Sequence, residues 1–234
     1  MTLKAIIFDV DGTLADTEDA HRIAFNKAFA DNGLPWNWDV ALYDKLLKVT
    51  GGKERIKYYV DDFLQDFSKS ADYEGFVKNL HVQKTAHYTA ALRDGHIPLR
   101  PGIKRLITDA HKAGLKLAIA TTTSPENVAA LLEVGLGKDW NMYFDAIGCG
   151  DIVPAKKPAP DIYNWVLNEL KLAPQDCIAL EDSSNGLHSS LAAGIRTYIT
   201  TNPYTCKQDF AGATAVFDDL GDLPGFYKLI GLHA

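Results

Sequence analysis

The sequence has no apolar run near the roughly 20 residues that cross a bilayer, no clustered lysine and arginine, no paired cysteines and no repeat or low-complexity tract. Each absence closes off a class of function. No membrane partner is expected. The 24 Lys+Arg set against 30 Asp+Glu leave a formal charge of −6, with no basic stretch to follow a phosphate backbone, so nucleic acid is excluded as a partner. Cys149, Cys177 and Cys206 are scattered and form no Cys-x-x-Cys pair, which points to a reducing compartment and away from a zinc knuckle or a disulfide framework. Met1-Thr2-Leu3-Lys4 leads at once into an apolar segment that ends in acids, so no signal peptide is expected. The chain reads as cytoplasmic, or stromal if it is a processed plastid protein.

What is present is enough to fold unaided: 234 residues, 47% of them hydrophobic and 23% charged, bury a sizeable core without disulfides or metal. Short apolar runs at 5–8, 115–120, 144–147, 177–180, 197–199 and 214–217 read as buried strands. Between them lie helical patterns at 101–113, 125–134, 158–170 and 185–193, several opened by Pro and closed by Gly, with Gly135 expected to end the second. The alternation predicts an α/β fold, a Rossmann-like doubly wound parallel sheet with ligand sites at the C-terminal strand ends. From Asp16 to His96 the alternation stops. Ala20, Ile23, Ala24, Ala28 and Phe29 share one face of a first helix. Asp39 caps a second with Leu42, Leu46 and Leu47. Ile56, Tyr59, Val60, Phe63 and Leu64 mark a third, and Phe76, Leu80 and Tyr88 a fourth. This is too long for a connection. It predicts an inserted helical cap domain over 16–96, on a core made of 1–15 and 97–234. Pro35-Trp36-Asn37-Trp38 is expected to pack between cap helices, and Cys177 to be a small core residue.

The chemistry gathers at strand ends. Asp9-Val10-Asp11-Gly12-Thr13 follows the first strand, and two carboxylates this close call for a divalent cation or a raised pKa. Thr121-Thr122-Thr123-Ser124 precedes Pro125, where hydroxyls and free N–H groups at a helix start suit an anion. Glu181-Asp182-Ser183 repeats the acidic pattern, and Lys157 precedes a Pro-initiated helix. Singly, these read as a solvated acidic turn, helix caps and a surface lysine. Together they fit phosphoryl transfer, which needs positioning and charge neutralisation.

In this order, Asp9-Val10-Asp11-Gly12-Thr13, Thr121, Lys157 in Lys-Pro-Ala-Pro-Asp, and Glu181-Asp182 resemble the four motifs of the haloacid dehalogenase superfamily of aspartate-nucleophile phosphatases. The resemblance covers the whole chain. It is closest to the CbbY-like sugar-bisphosphate phosphatases, with β-phosphoglucomutase and phosphoglycolate phosphatase as relatives. The cap segments Asp16-Thr17-Glu18, His21, Thr50-Gly51-Gly52-Lys53-Glu54-Arg55 and Lys84 look like CbbY-type substrate contacts.

The resemblance implies an Asp9 nucleophile, an Asp11 acid and base, Thr121 and the Thr122 N–H on the phosphoryl oxygens, and Lys157 offsetting charge. It implies Mg²⁺ on the Asp9 carboxylate, the Asp11 carbonyl and the Asp182 carboxylate, with Glu181 in support. It implies a small phosphorylated sugar, xylulose 1,5-bisphosphate being suggested, met by Glu18, His21, Gly51, Gly52, Lys53, Arg55, His81, Lys84, Thr121, Thr122, Thr123 and Ser124. Lys53, after a Gly-Gly loop, is expected to serve a second phosphate or the sugar hydroxyls. A monomer is expected. His87, His96, His111, His188 and His233 show no metal spacing. Two other readings stay open: a phosphomutase using the same aspartate, and a receiver-like phosphoacceptor without turnover, which has no use for a cap.

Overall fold

Short apolar strands buried on both faces need helices on both sides, and the chain supplies them. The computed structural model describes residues 3–95 and 97–232, so Met1, Thr2, His96, His233 and Ala234 lie outside the described residues. Strands β1 (Ala5–Phe8), β2 (Lys116–Ala120), β3 (Ala146–Gly148), β4 (Cys177–Glu181), β5 (Arg196–Thr200) and β6 (Ala215–Phe217) form one parallel sheet in the order β3-β2-β1-β4-β5-β6. Helices α5 (Ile103–Lys112), α6 (Pro125–Leu136), α7 (Asp161–Leu170), α8 (Ser184–Ala192) and α9 (Leu223–Ile230) cover it. Because side chains alternate along a strand, the two faces differ. Ile6, Phe8, Leu117, Ile119, Ile178 and Leu180 fill one core. Ala5, Ala118, Ala120 and Ala179 line the other, where Ile162, Tyr163 and Val166 of α7 pack. The order reverses at β1, between β2 and β4, and that crevice is where an open parallel sheet binds ligands. Pairing of Phe8 with Leu180 sets Asp9 beside Glu181 there.

Between β1 and α5 stand α1 (Glu18–Asp31), α2 (Val40–Leu46), α3 (Gly52–Phe63) and α4 (Tyr73–Arg93), the proposed cap. Asp39 caps α2 as expected, its side chain accepting from Leu42 N at 2.8 Å. Phe25, Phe29, Trp36, Trp38, Tyr43 and Tyr59 make a buried cluster of their own, with Trp38 against Phe29 at 4.9 Å and against Tyr59 at 5.4 Å. Two linkers join cap to core, and Ala15 pairs with Leu99 across them. The buried Arg100 pins them down, donating to Gly12 O (2.6 Å), Thr200 O (3.0 Å), Asp218 O (2.6 Å) and Thr201 O.

Several boundaries differ from expectation. Helix α6 does not stop at Gly135 but runs to Leu136, and Gly137 at φ 99° turns the chain. Gly135 is instead the spot where the linker residue Leu99 presses against the helix. Strand β3 begins at Ala146 because Asp145 closes the end of β2, its N–H donating to Leu117 O and its carboxylate accepting from Leu117 N. Helix α7 begins at Asp161, after Pro158 and Pro160, rather than at Pro158. Ile23 and Phe63 are exposed rather than on the buried cap faces. Helix α9, which the sequence reading did not include, closes the sheet with Phe226 edge-on to Tyr198. No described helix is long and apolar enough to cross a membrane.

A Cβ at Gly135 would lie 2.6 Å from Leu99 Cγ, so Gly135→Ala is expected to lower the thermal unfolding midpoint by overpacking. Combined with Leu99→Ala the penalty should vanish. Alanine's helix preference of about 1 kcal/mol over glycine then appears as a gain over Leu99→Ala alone. A Gly135→Ala protein as stable as its parent would show that the linker is not held against α6.

Candidate active site

The ends of β1, β2 and β4, with the loop after β3, deliver their side chains to one place. Asp9 Oδ1 accepts from Lys157 Nζ at 2.6 Å, and the same ammonium donates to Glu181 Oε1 at 2.5 Å. Tyr163 of α7 adds its hydroxyl to Glu181 Oε1 at 2.6 Å. All four residues are buried. Carboxylate oxygens of Asp9, Glu181 and Asp182 lie within 4.8 Å of one another. One lysine against three buried carboxylates leaves negative charge in excess, and the titration behaviour records it. Burial, despite the pull of Lys157, pushes the Asp9 carboxyl upward, with Glu181 and Asp11 adding to the push. Burial, then Asp9 and Glu181, push Asp182 upward too. Lys157 is raised although burial opposes it, because Asp9 and Glu181 outweigh that cost. An all-oxygen, negatively charged, buried cluster suits a hard divalent cation, so these residues fit Mg²⁺.

Asp11, two residues on, lives in a different environment. Its Oδ1 accepts from Thr17 Oγ (2.7 Å), His21 Nε2 (2.9 Å) and Tyr88 OH (3.2 Å). Burial raises this carboxyl, but His21, Thr17 and Lys84 together outweigh it and hold it below the usual carboxylate range. The imidazole itself is kept below its ordinary value by burial and the Lys84 charge. Lys84 Nζ lies 2.5 Å from His21 Nδ1, and burial lowers Lys84 to about 7. In its ammonium form Lys84 only donates, so Nδ1 is then the acceptor and the ring proton sits on Nε2, facing Asp11.

Cap and core together wall a cavity of about 1060 Å³. The predicted residues Asp9, Asp11, Glu18, His21, Gly51, Gly52, Arg55, His81, Lys84, Thr121, Thr122, Thr123, Ser124, Lys157 and Asp182 line it. Glu181 sits behind the wall, and Lys53 reaches past the cavity to the core, where its Nζ meets Asp151 Oδ2 at 2.5 Å. The Asp11 carboxylate turns to the cap network rather than joining the Asp9, Glu181, Asp182 cluster. Lys84 is not a free cation at the wall but is buried against His21. Arg55 donates to Tyr43 OH at 2.8 Å, and Tyr43 to Glu18 Oε2 at 3.0 Å. His81 is lowered to about 3 by burial and by Lys84, so it is a neutral ring near neutrality, packed at Gly52. Ser124 starts α6 yet makes no capping bond; its hydroxyl is buried without a partner at the wall.

Sequence reasoning missed Tyr163, Asn202, Arg100 and the role of Tyr88. Asn202 was within reach of the strand-end rule, since it follows β5 as Asp182 follows β4, and its Nδ2 donates to Asp182 Oδ2 at 2.7 Å. Tyr88 gave only a helical-face signal, and its hydroxyl meets a residue 77 positions away.

The family model described as haloacid dehalogenase-like hydrolase matches residues 3–194. A protein named CbbY, encoded on a plasmid of Cupriavidus necator, is 50% identical over 94% of this chain and 87% of its own length. Two crystal structures of CbbY from Rhodobacter sphaeroides, one in complex with phosphate and one of a mutant in complex with xylulose 1,5-bisphosphate, each superpose with TM-score 0.89. Each is 44% identical over 95% of this chain and 96% of its own.

The buried Lys84 predicts a pH dependence of stability. Its folded pKa of about 7 lies below the ordinary 10.5, so between those values the unfolded chain binds more protons. Stability therefore rises with pH across that window, by at most about 1.4 kcal/mol per pH unit from this group. The contribution is fully present above the ordinary value and lost as pH falls toward 7. Denaturant unfolding of Lys84→Met between pH 7.5 and 9.5 should give a flatter slope than the parent; coincident slopes would contradict the assignment.

Proposed function

The chain belongs to the haloacid dehalogenase-like hydrolase family and is a relative of its CbbY members, and from that premise we propose that it is a Mg²⁺-dependent phosphatase acting on xylulose 1,5-bisphosphate. The observation that carries the reaction is the Asp9 carboxylate, held at Oδ1 by Lys157 in a cavity that cap and core wall together. Its Oδ2, with no hydrogen-bond partner among the described residues, attacks phosphorus. An aspartyl-phosphate forms as the bond from phosphorus to the sugar oxygen breaks.

Asp11 gives its proton to that oxygen and then, as an anion again, takes one from the water that hydrolyses the acyl phosphate. The three donors on its Oδ1 favour the anion, the form the second step needs. A phosphate dianion placed beside it acts the other way, because a like charge disfavours the ionised carboxylate, and so loads the proton the first step needs. Thr121 and the Thr122 N–H, just ahead of α6, donate to the phosphoryl oxygens. Asp9, Asp182 and the Asp11 carbonyl would hold Mg²⁺, with Glu181 fixing Lys157 behind them. Bound there, the ion supplies positive charge to the phosphoryl oxygens.

The sugar assignment is supported by the bisphosphate that the Rhodobacter sphaeroides relative binds. Arg55 and the unpartnered Ser124 hydroxyl at the cavity wall suit a second phosphate.

Phosphate release from xylulose 1,5-bisphosphate is expected with Mg²⁺ and not after chelation. An isomeric sugar phosphate formed without phosphate release would instead mark a phosphomutase. Asp9→Asn should cut kcat by a factor of about 10⁴ or more, and measurable turnover in that variant would remove Asp9 as nucleophile. Arg55→Ala should raise KM for the bisphosphate by about tenfold or more, the worth of a charged hydrogen bond, while KM for p-nitrophenyl phosphate moves by less than about twofold. Equal losses on both substrates would refute the second-phosphate role.

A further inference from the structure

The loop after β5 takes no part in the chemistry above, yet it is tied to both halves of the molecule. Asn202 is buried beside Asp182, and both ends of its amide are in use. Nδ2 donates to Asp182 Oδ2 at 2.7 Å, while Oδ1 accepts from the backbone N–H groups of Tyr204 (2.9 Å) and Thr205 (3.2 Å). Those two amides fix which end of the side chain is oxygen. Thr205 Oγ closes the turn by accepting from Asn202 N at 3.0 Å, and Gln208 Oε1 accepts from Ser184 N at 2.7 Å, just past Asp182. Arg100 anchors the base of the loop through the carbonyls of Thr200 and Thr201. From the other side Gly12 packs so closely that a Cβ there would overlap both Asp182 and Asn202.

Tyr204 leaves this turn toward the cap. Its hydroxyl donates to Asp19 of α1 at 3.1 Å, and its ring stands edge-on to Tyr43 at 6.0 Å. Tyr43 in turn bonds Glu18 and Arg55. A short chain of contacts thus runs from Asp182 to the cap residues that face the cavity.

We propose that Asn202 and Tyr204 form a positioning pair that couples seating of the cap to the cation affinity of Asp182. The inference rests on the reading of Asp182 as a cation ligand. Asn202 occupies Oδ2 and fixes the carboxylate plane, leaving Oδ1 for the cation; partners of this kind around metal ligands set affinity by about 10–100-fold. Tyr204 belongs to the turn that presents Asn202, and its side chain ties that turn to Asp19 and Tyr43 of the cap, contacts that a seated cap provides. Coupling is reciprocal, so a cation in place favours the seated cap as much as the seated cap favours the cation.

The test is calorimetric titration of Mg²⁺, without any sugar, into the wild type, Asn202→Ala, Tyr204→Ala, Tyr204→Phe and the double alanine variant. Asn202→Ala should raise the Kd about tenfold. Tyr204→Ala, which touches neither Asp182 nor the cation, should raise it about threefold or more. The double variant should bind no more weakly than Asn202→Ala, since the route to the cap is already cut. Tyr204→Phe keeps the ring on Tyr43 and loses only the Asp19 bond, so it should fall between wild type and Tyr204→Ala; it carries the test if Tyr204→Ala does not fold. A wild-type Kd retained in both Tyr204 variants, or single losses that multiply in the double variant, overturns the coupling while leaving Asp182 a ligand. A wild type that takes up no Mg²⁺ overturns the cation reading and the coupling together.

Discussion

One buried ammonium holds the catalytic edge together. Lys157 Nζ is shared between Asp9 on the central strand and Glu181 at the end of its neighbour, and both carboxylates have left water. Three carboxylates in so small a volume would repel unless a cation stood among them, and removing one partner of a buried pair costs about 3–5 kcal/mol. The fold is arranged around this need. Strand β4 must lie next to β1 so that Glu181 faces Asp9, although half the sheet has been built on the other side by then. The lysine comes from the loop after β3 at the far edge, carried inward by the segment that leads into α7. That helix lies close because the sheet beneath it is floored with Ala118, Ala120 and Ala179, and closeness lets Tyr163 reach Glu181.

The proposed cap depends on the core differently. Its aromatic cluster of Phe25, Phe29, Trp36, Trp38, Tyr43 and Tyr59 is its own, while two chain linkers and side-chain contacts such as Lys53 to Asp151 and Tyr204 to Asp19 join it to the core. Arg100 adds to these by gathering carbonyls from the first turn, the end of β5 and the loop after β6. A guanidinium suits this position because its five donors point in fixed directions. It meets backbone oxygens in the turn after β1 and at or just past the ends of β5 and β6.

Much of this was legible in the sequence, and the physical reason is periodicity. Buried parallel strands are short continuous apolar runs, and Ala5–Phe8 and Cys177–Glu181 stand where such runs predict. Residues at strand ends are likewise readable, because the chain order of the sheet brings them to one edge; Asp9, Thr121, Lys157 and Asp182 share one cavity for that reason. What resisted reading is what depends on distance in sequence. Gly135 reads as a helix stop until Leu99 is seen against it. Lys53 and Arg55 are two residues apart on α3, yet one crosses to Asp151 and the other faces the cavity, a difference set by the direction of the helix over the core. Lys84 reads as a substrate-facing cation, and its burial against the stacked rings of His21 and Tyr88, 3.8 Å apart and contributed by two separate helices, has no signal in the sequence.

The deepest consequence of the architecture is the separation of two carboxylates that the sequence places two residues apart. Asp9 sits among Lys157, Glu181 and Asp182, in a buried and over-negative pocket that drives its titration upward. Asp11 sits under Thr17, His21 and Tyr88, three donors that drive its titration downward. Environments that push two acids in opposite directions divide the labour between them. In the proposed mechanism a cation, or transfer of charge to phosphorus, relieves the excess charge around Asp9, which suits that carboxylate to react with an electrophile. The Asp11 charge is already satisfied by hydrogen bonds, which suits it to the proposed exchange of protons. The donors to Asp11 come from α1, α4 and the linker rather than the core, so in the proposed mechanism the proposed cap builds the proton-transfer half of the site and the sheet the nucleophilic half. Neither half is complete alone. That division places the helical insertion directly after the motif it serves: Thr17 and His21 must stand within reach of Asp11, and the chain delivers them 6 and 10 residues beyond it.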